Sequence, residues 1–135
     1  MTRRGPNPAF SQRPRGVCRL LIRIGVLGLL LLAPRTTNAV DASPTAILTN
    51  PDRFDGKSVM IRGTITNLHE TVSRRGNPYY TFDLSDGTRT IRVFSFGTAP
   101  CRSGMATVEG TFDQVKHVGS RTFRNEVTAS QVTCR

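Results

Sequence analysis

The sequence predicts an all-β domain, a closed barrel of five strands with a short N-terminal helix, carried behind a secretory signal. Five segments between Lys57 and Thr133 show strand signals: alternating apolar and polar residues, β-branched side chains and turn residues at their ends. One brief helical signal precedes them, and no second one follows. The first of these segments is long and is interrupted by Gly63, where a bulge or sharp coil belongs. An open sheet of this size exposes edges that need protection, and closure removes most of them.

Residues 1–39 read as a targeting segment. An arginine-rich stretch leads into an uncharged apolar run from Ile24 to Ala33, a length usual for the apolar region of a signal peptide. A membrane-spanning helix needs about 20 apolar residues, and Arg23 limits extension of the run. Pro34 breaks it, and small residues near Ala39 and Ala42 offer cleavage points after either. Cys18 precedes the apolar run and so is not placed for lipid attachment.

Removing the signal changes what the charge implies. The full chain carries a net charge of +10, but seven basic residues and no acidic ones lie before position 40. From Val40 onward, 12 lysines and arginines face 9 acidic residues, a net charge of +3. Charge alone therefore does not define a nucleic-acid binder. Removal also leaves two cysteines, Cys101 and Cys134. An even pair in a small exported domain predicts a disulfide, and no Cys-x-x-Cys spacing points to a redox or metal pair.

The segment 40–56 is a lead-in. Ser43 is placed to cap a helix and Pro44 to open it, with Asn50-Pro51 stopping it after at most two turns. The barrel then spans residues 57–135. In the first strand, Lys57 to Glu70, Val59, Ile61 and Ile65 share a face. The second, Tyr79 to Leu84, turns Tyr80, Phe82 and Leu84 inward and Tyr79 outward. Asp86-Gly87 predicts a tight hairpin into the third strand, Thr88 to Phe96, with Ile91 and Val93 inward and Arg92 and Phe94 outward. The fourth, Met105 to Val115, sets Val108 and Phe112 on one face around Gly110. A turn over His117 to Ser120 leads to the fifth, Arg121 to Thr133.

The run from Phe54 to Ile65, the segment Tyr80-Thr81-Phe82-Asp83-Leu84-Ser85-Asp86-Gly87, the following Thr90-Ile91-Arg92-Val93, and Val108-Glu109-Gly110 resemble OB-fold domains of the nucleic-acid-binding, tRNA-anticodon-domain-like type. The resemblance covers about Ile47 to Val132. It implies a binding face on the second and third strands, flanked by the loops Thr71 to Pro78 and His117 to Arg121. Carried onto this chain, the face holds Tyr79, Arg92 and Phe94, and its flanks hold Arg74, Arg75, Lys116 and Arg121. Aromatic platforms and cations are what single-stranded nucleic acid requires, since bases stack and phosphates pair. An ordinary solvated face accounts for the same residues, with Tyr79 or Phe94 packed under a loop. Export favours a different partner class, a protein of the cell envelope.

Catalysis is not expected, because no set of acid, base and electrophile is visible. An exported OB-fold nuclease needs clustered carboxylates for a metal, whereas Asp86 serves a turn and Asp83 an exposed strand position. His69, near the end of the first strand, and His117 are isolated and in loop-like positions, so neither a metal site nor any cofactor is implied. Both also depart from the haem-attachment pattern of the OB-fold haem chaperones. Processing is the sequence's most direct prediction: N-terminal sequencing of the exported protein should begin at Val40 or Ser43. An intact Met1 in a membrane fraction excludes it.

Overall fold

Capping chemistry places the first helix where the sequence asks for it. Ser43 Oγ accepts from the Ala46 N–H at 3.1 Å, and Pro44 fills a first-turn position that needs no N–H. The computed structural model describes residues 38–135; the apolar run of the predicted signal lies outside the described residues. In chain order the elements are β1 (Val40–Asp41), α1 (Pro44–Thr49), α2 (Pro51–Phe54), β2 (Ser58–Val72), β3 (Pro78–Ser85), β4 (Thr90–Phe96), β5 (Gly104–Val118) and β6 (Arg121–Cys134). No helix among the described residues is long and apolar enough to cross a membrane.

Five strands are expected from the sequence, and six are present among the described residues. The extra one, β1, pairs parallel to β2 through Val40 opposite Val59 and Asp41 opposite Met60. Two residues carry no periodicity, so β1 exists only through its partner. Asn50-Pro51 does end α1, but Pro51 also opens α2, because proline fits a first helical position as well as it blocks an interior one.

The sheet runs β1-β2-β3-β4-β6-β5, and β2 also pairs antiparallel with β5. That extra pairing curls the sheet into a barrel-like ring. The ring is thinnest between β4 and β6, which share a parallel ladder over Arg92–Glu126, Val93–Val127 and Phe94–Thr128. Inside lie Val59, Ile61, Ile65, Tyr80, Phe82, Leu84, Ile91, Val93, Val108 and Phe112, the inward faces that the alternation predicts, with Ile47 and Phe54 of the helices joined to them. Gly63 and Gly110 are buried at the β2–β5 seam, and neither has room for a β-carbon. At Gly63 it would strike the Ser85 carbonyl, and at Gly110 the Thr128 carbonyl and, at 2.7 Å, Ala129 Cα.

Both predicted hairpin turns differ in length from expectation. Ser85 pairs with Thr90, so the β3–β4 connection spans residues 86–89 instead of two. Asp86 explains the widening. Its Oδ1 accepts from Thr88 N–H at 3.0 Å and Arg89 N–H at 2.9 Å, and its Oδ2 from Thr45 N–H at 2.8 Å. The residue thus organises its own loop and ties α1 to it. These donors, Arg89 foremost and then Thr45, hold the Asp86 carboxyl well below the usual carboxylate range. The β5–β6 turn shrinks instead, because Val118 already pairs with Arg121 and leaves Gly119-Ser120 to reverse the chain.

Cys101 and Cys134 form the expected disulfide, with Cα atoms 5.7 Å apart. It fastens the loop 97–103 to the end of β6. Closing a loop of this size contributes about 3–4 kcal/mol in the chain-entropy model, so replacing both cysteines by serine should lower unfolding stability by that order. Unreduced protein should weigh two hydrogens less than reduced protein; two alkylatable thiols in native protein would exclude the bond.

Asp86→Ala should lower stability by about 1–3 kcal/mol near neutral pH, the scale of hydrogen bonds to a charged acceptor. A depressed folded-state pKa stabilises above the ordinary value of 3.8 and ceases to do so as pH falls through the folded value. The gap between wild type and variant should therefore narrow below about pH 4 in denaturant melts. A gap of the same size at pH 7 and at the acid end would rule out the carboxylate as its source.

Candidate functional site

Strand alternation puts Tyr79 of β3 and Phe94 and Phe96 of β4 on the outer face, away from the buried Tyr80, Val93 and Ser95. Register brings them together, since Tyr79 pairs with Phe96 and Thr81 with Phe94. The Tyr79 and Phe94 ring centroids are 5.4 Å apart, and Phe94 and Phe96 meet edge to face at 5.0 Å. Phe96 is 69% exposed, far more than a ring held for packing requires.

The β5–β6 hairpin supplies the opposite wall. Asn125 takes the left-handed conformation, φ 52°, which asparagine tolerates better than most residues. It breaks the alternation of β6, so that Phe123 and Glu126 line the same groove along with Thr128. From β5 come Lys116 and Val118, and from the β2–β3 loop Ser73. The groove encloses about 430 Å³. A second depression of about 300 Å³, lined by Glu70, Val72 and Gly97 among others, shares Tyr79 with it.

One charged pair lies within the mainly apolar lining. Lys116 Nζ donates to Thr128 Oγ1 at 2.7 Å and to Glu126 Oε1 at 3.4 Å, and sits 5.1 Å from the Phe94 ring centroid. Glu126 is 4% exposed although it belongs to the outer face beside Arg92, its partner in the β4–β6 ladder.

Of the residues expected at the site, Tyr79, Phe94 and Lys116 line the groove. Arg92 lies on the same face next to Phe94, with its Nε donating to Asp83 Oδ1 at 3.5 Å. Arg74 and Arg75 are exposed in the loop that begins with Ser73, and Arg121 is exposed opposite the groove residue Val118. None of these three lines the groove. Phe96, Val118, Phe123, Glu126 and Thr128 are additions. Phe96 was open to discovery by alternation from Phe94, whereas Glu126 and Phe123 depend on the break at Asn125.

His69 lies in β2, within the predicted first strand, whereas His117 lies in β5 where a turn is expected, with Nδ1 3.0 Å from Thr122 Oγ1. Asp83 is likewise half-buried where an exposed position is expected, because Asn67 Nδ2 and Arg92 Nε both converge on its carboxylate. Among the described residues no three His, Cys, Asp or Glu side chains gather in a way that holds a metal ion. No protein-family profile matches the chain, and comparison with curated proteins finds no match.

Proposed function

We propose that this chain is an exported, non-catalytic binding module of OB type that holds single-stranded nucleic acid along the outer face of β3 and β4. The observation that carries the reading is the aromatic run Tyr79, Phe94 and Phe96, with Arg92 on the same face and the exposed Arg74, Arg75 and Arg121, on segments adjoining the groove residues Ser73 and Val118, taken as its rim. Stacked rings accept the π-faces of bases, and the arginines are suited to phosphates. Two depressions meeting at Tyr79 fit an extended ligand better than a single small molecule.

The OB assignment is supported by strand order. The five longer strands pair β2-β3-β4-β6-β5 and back to β2, with β4 and β6 parallel, which is the Greek-key order of a five-stranded barrel. Export is supported by the apolar N-terminal run and by the disulfide. Cleavage after Ala39 keeps β1 and the Arg62–Asp41 ion pair of 2.9 Å, whereas cleavage after Ala42 removes both. The earlier site is therefore the better match.

The competing partner is an envelope protein, favoured by the exposed Val72, Phe96 and Val118 at the groove end of the barrel. Titration of the exported protein with labelled single-stranded DNA at two salt concentrations separates the two. Nucleic-acid binding should weaken steeply with salt, with a slope of about −0.7 per phosphate neutralised. Phe94→Ala and Phe96→Ala should each cost about 1–3 kcal/mol of binding through lost stacking. No binding at low salt removes the reading in favour of a protein partner. Tight binding that survives Arg74→Ala, Arg75→Ala and Phe94→Ala combined places the ligand on another face.

A further inference from the structure

Glu126 is unusual for a residue on the outer face of a sheet. Its side chain is 5% exposed, yet it lines the groove. The one side-chain hydrogen bond it accepts among the described residues comes from Lys116, at 3.4 Å through Oε1. Oε2 accepts no hydrogen bond among the described residues and is not closed off from solvent, so it remains open to a donor entering the groove. Lys116 stands beside it with its ammonium drawn over Phe94. The groove thus offers a planar apolar slot with one acceptor and one donor side by side.

Resting on the nucleic-acid reading above, we infer that the Lys116–Glu126 pair makes the groove selective for guanine. A base entering against Phe94 takes the place the ammonium now holds over the ring and presents its edge to both charged groups. Guanine carries two adjacent donors, N1–H and the N2 amino group, with the O6 acceptor next to them. A carboxylate takes the two donors in parallel, as it takes the fork of an arginine, and the ammonium donates to O6. Adenine and cytosine each offer one donor beside ring acceptors, and thymine offers one N–H between two carbonyls. All three leave a carboxylate oxygen facing an acceptor or nothing, and a site with unpaired buried polar groups rejects such ligands.

Charge argues against the other occupant an acidic aromatic groove would suit, a cationic side chain of a peptide. Lys116 already fills that role toward both Phe94 and Glu126. Arg74, Arg75 and Arg121 on the rim add like charge. An anionic polymer bearing rings with paired N–H donors satisfies rim and floor together.

The test compares thymine oligomers with and without a single guanine at the centre, titrated against the exported protein at low salt. One guanine keeps the strand from associating with itself. It should raise affinity about tenfold, the order of one bidentate base contact. Hypoxanthine, which lacks the N2 amino group, should lose most of that gain with no change to the protein. A guanine analogue altered only at N7 should keep it. Glu126→Gln, with its fold checked by circular dichroism, should abolish the preference for the guanine-containing strand over the all-thymine strand.

If all oligomers bind with one affinity, or if hypoxanthine serves as well as guanine, the selectivity is refuted and the nucleic-acid reading stands. If no oligomer binds, the nucleic-acid reading fails and takes the selectivity with it.

Discussion

The antiparallel pairing of β2 with β5 converts a row of strands into a ring, and it runs through two positions where a β-carbon has no room. Val59 lies opposite Gly110, and Gly63 opposite Ala106. At Gly63 the β3 backbone at Ser85, and at Gly110 the β6 backbone at Thr128 and Ala129, come so close that a methyl group could be fitted only by moving main chain. Main chain in a hydrogen-bonded sheet moves at greater cost than a side chain rotates, so closure and glycine are coupled at these sites. Beyond Ile65 the two strands part. β2 passes through Asn67 at φ 52° and continues against β3 alone. The bend allows one strand to serve the ring at one end and to extend the wall at the other.

The groove follows from the same unequal lengths. β5 and β6 run on as a hairpin past the last residue that β4 pairs, so the inner side of that hairpin has no barrel interior left to cover. It carries Lys116, Val118 and Phe123, which face the outer side of β4 instead. The disulfide lies at the far end of the hairpin, where Ala106 pairs with Cys134. One end of β5–β6 is covalently fixed and the other carries the groove wall.

Most of the barrel was legible in the sequence because its inward residues alternate without interruption. Val59 and Ile61, Phe82 and Leu84, and Ile91 and Val93 needed only the period of two to be assigned to the core. The cysteine pairing was legible because just two cysteines lie beyond position 40. What escaped depended on partners distant in the chain. β1 is defined by β2, and the four-residue turn at Asp86 by a helix 41 positions earlier. At the site, Tyr79, Phe94 and Lys116 were legible from alternation and from the resemblance. Glu126 was not, because a glutamate in a strand reads as solvent-facing until the break at Asn125 and the β4 ladder enclose it.

That glutamate separates two ways of viewing the groove. Viewed as packing, Lys116 and Glu126 are a poor choice, since apolar residues of similar size in such a place are often neutral or stabilising relative to a buried ion pair. The 3.4 Å separation is long for a charge-assisted bond, and one carboxylate oxygen gains nothing from it. Thr128 improves the position of the lysine and does nothing for the acid. On the proposed reading, an acid with one open oxygen beside an ammonium is what a ligand with both donors and an acceptor on one edge would complete. On the same reading, the aromatic run would supply the plane on which that edge is presented, and the neighbouring arginines the attraction for the chain that carries it.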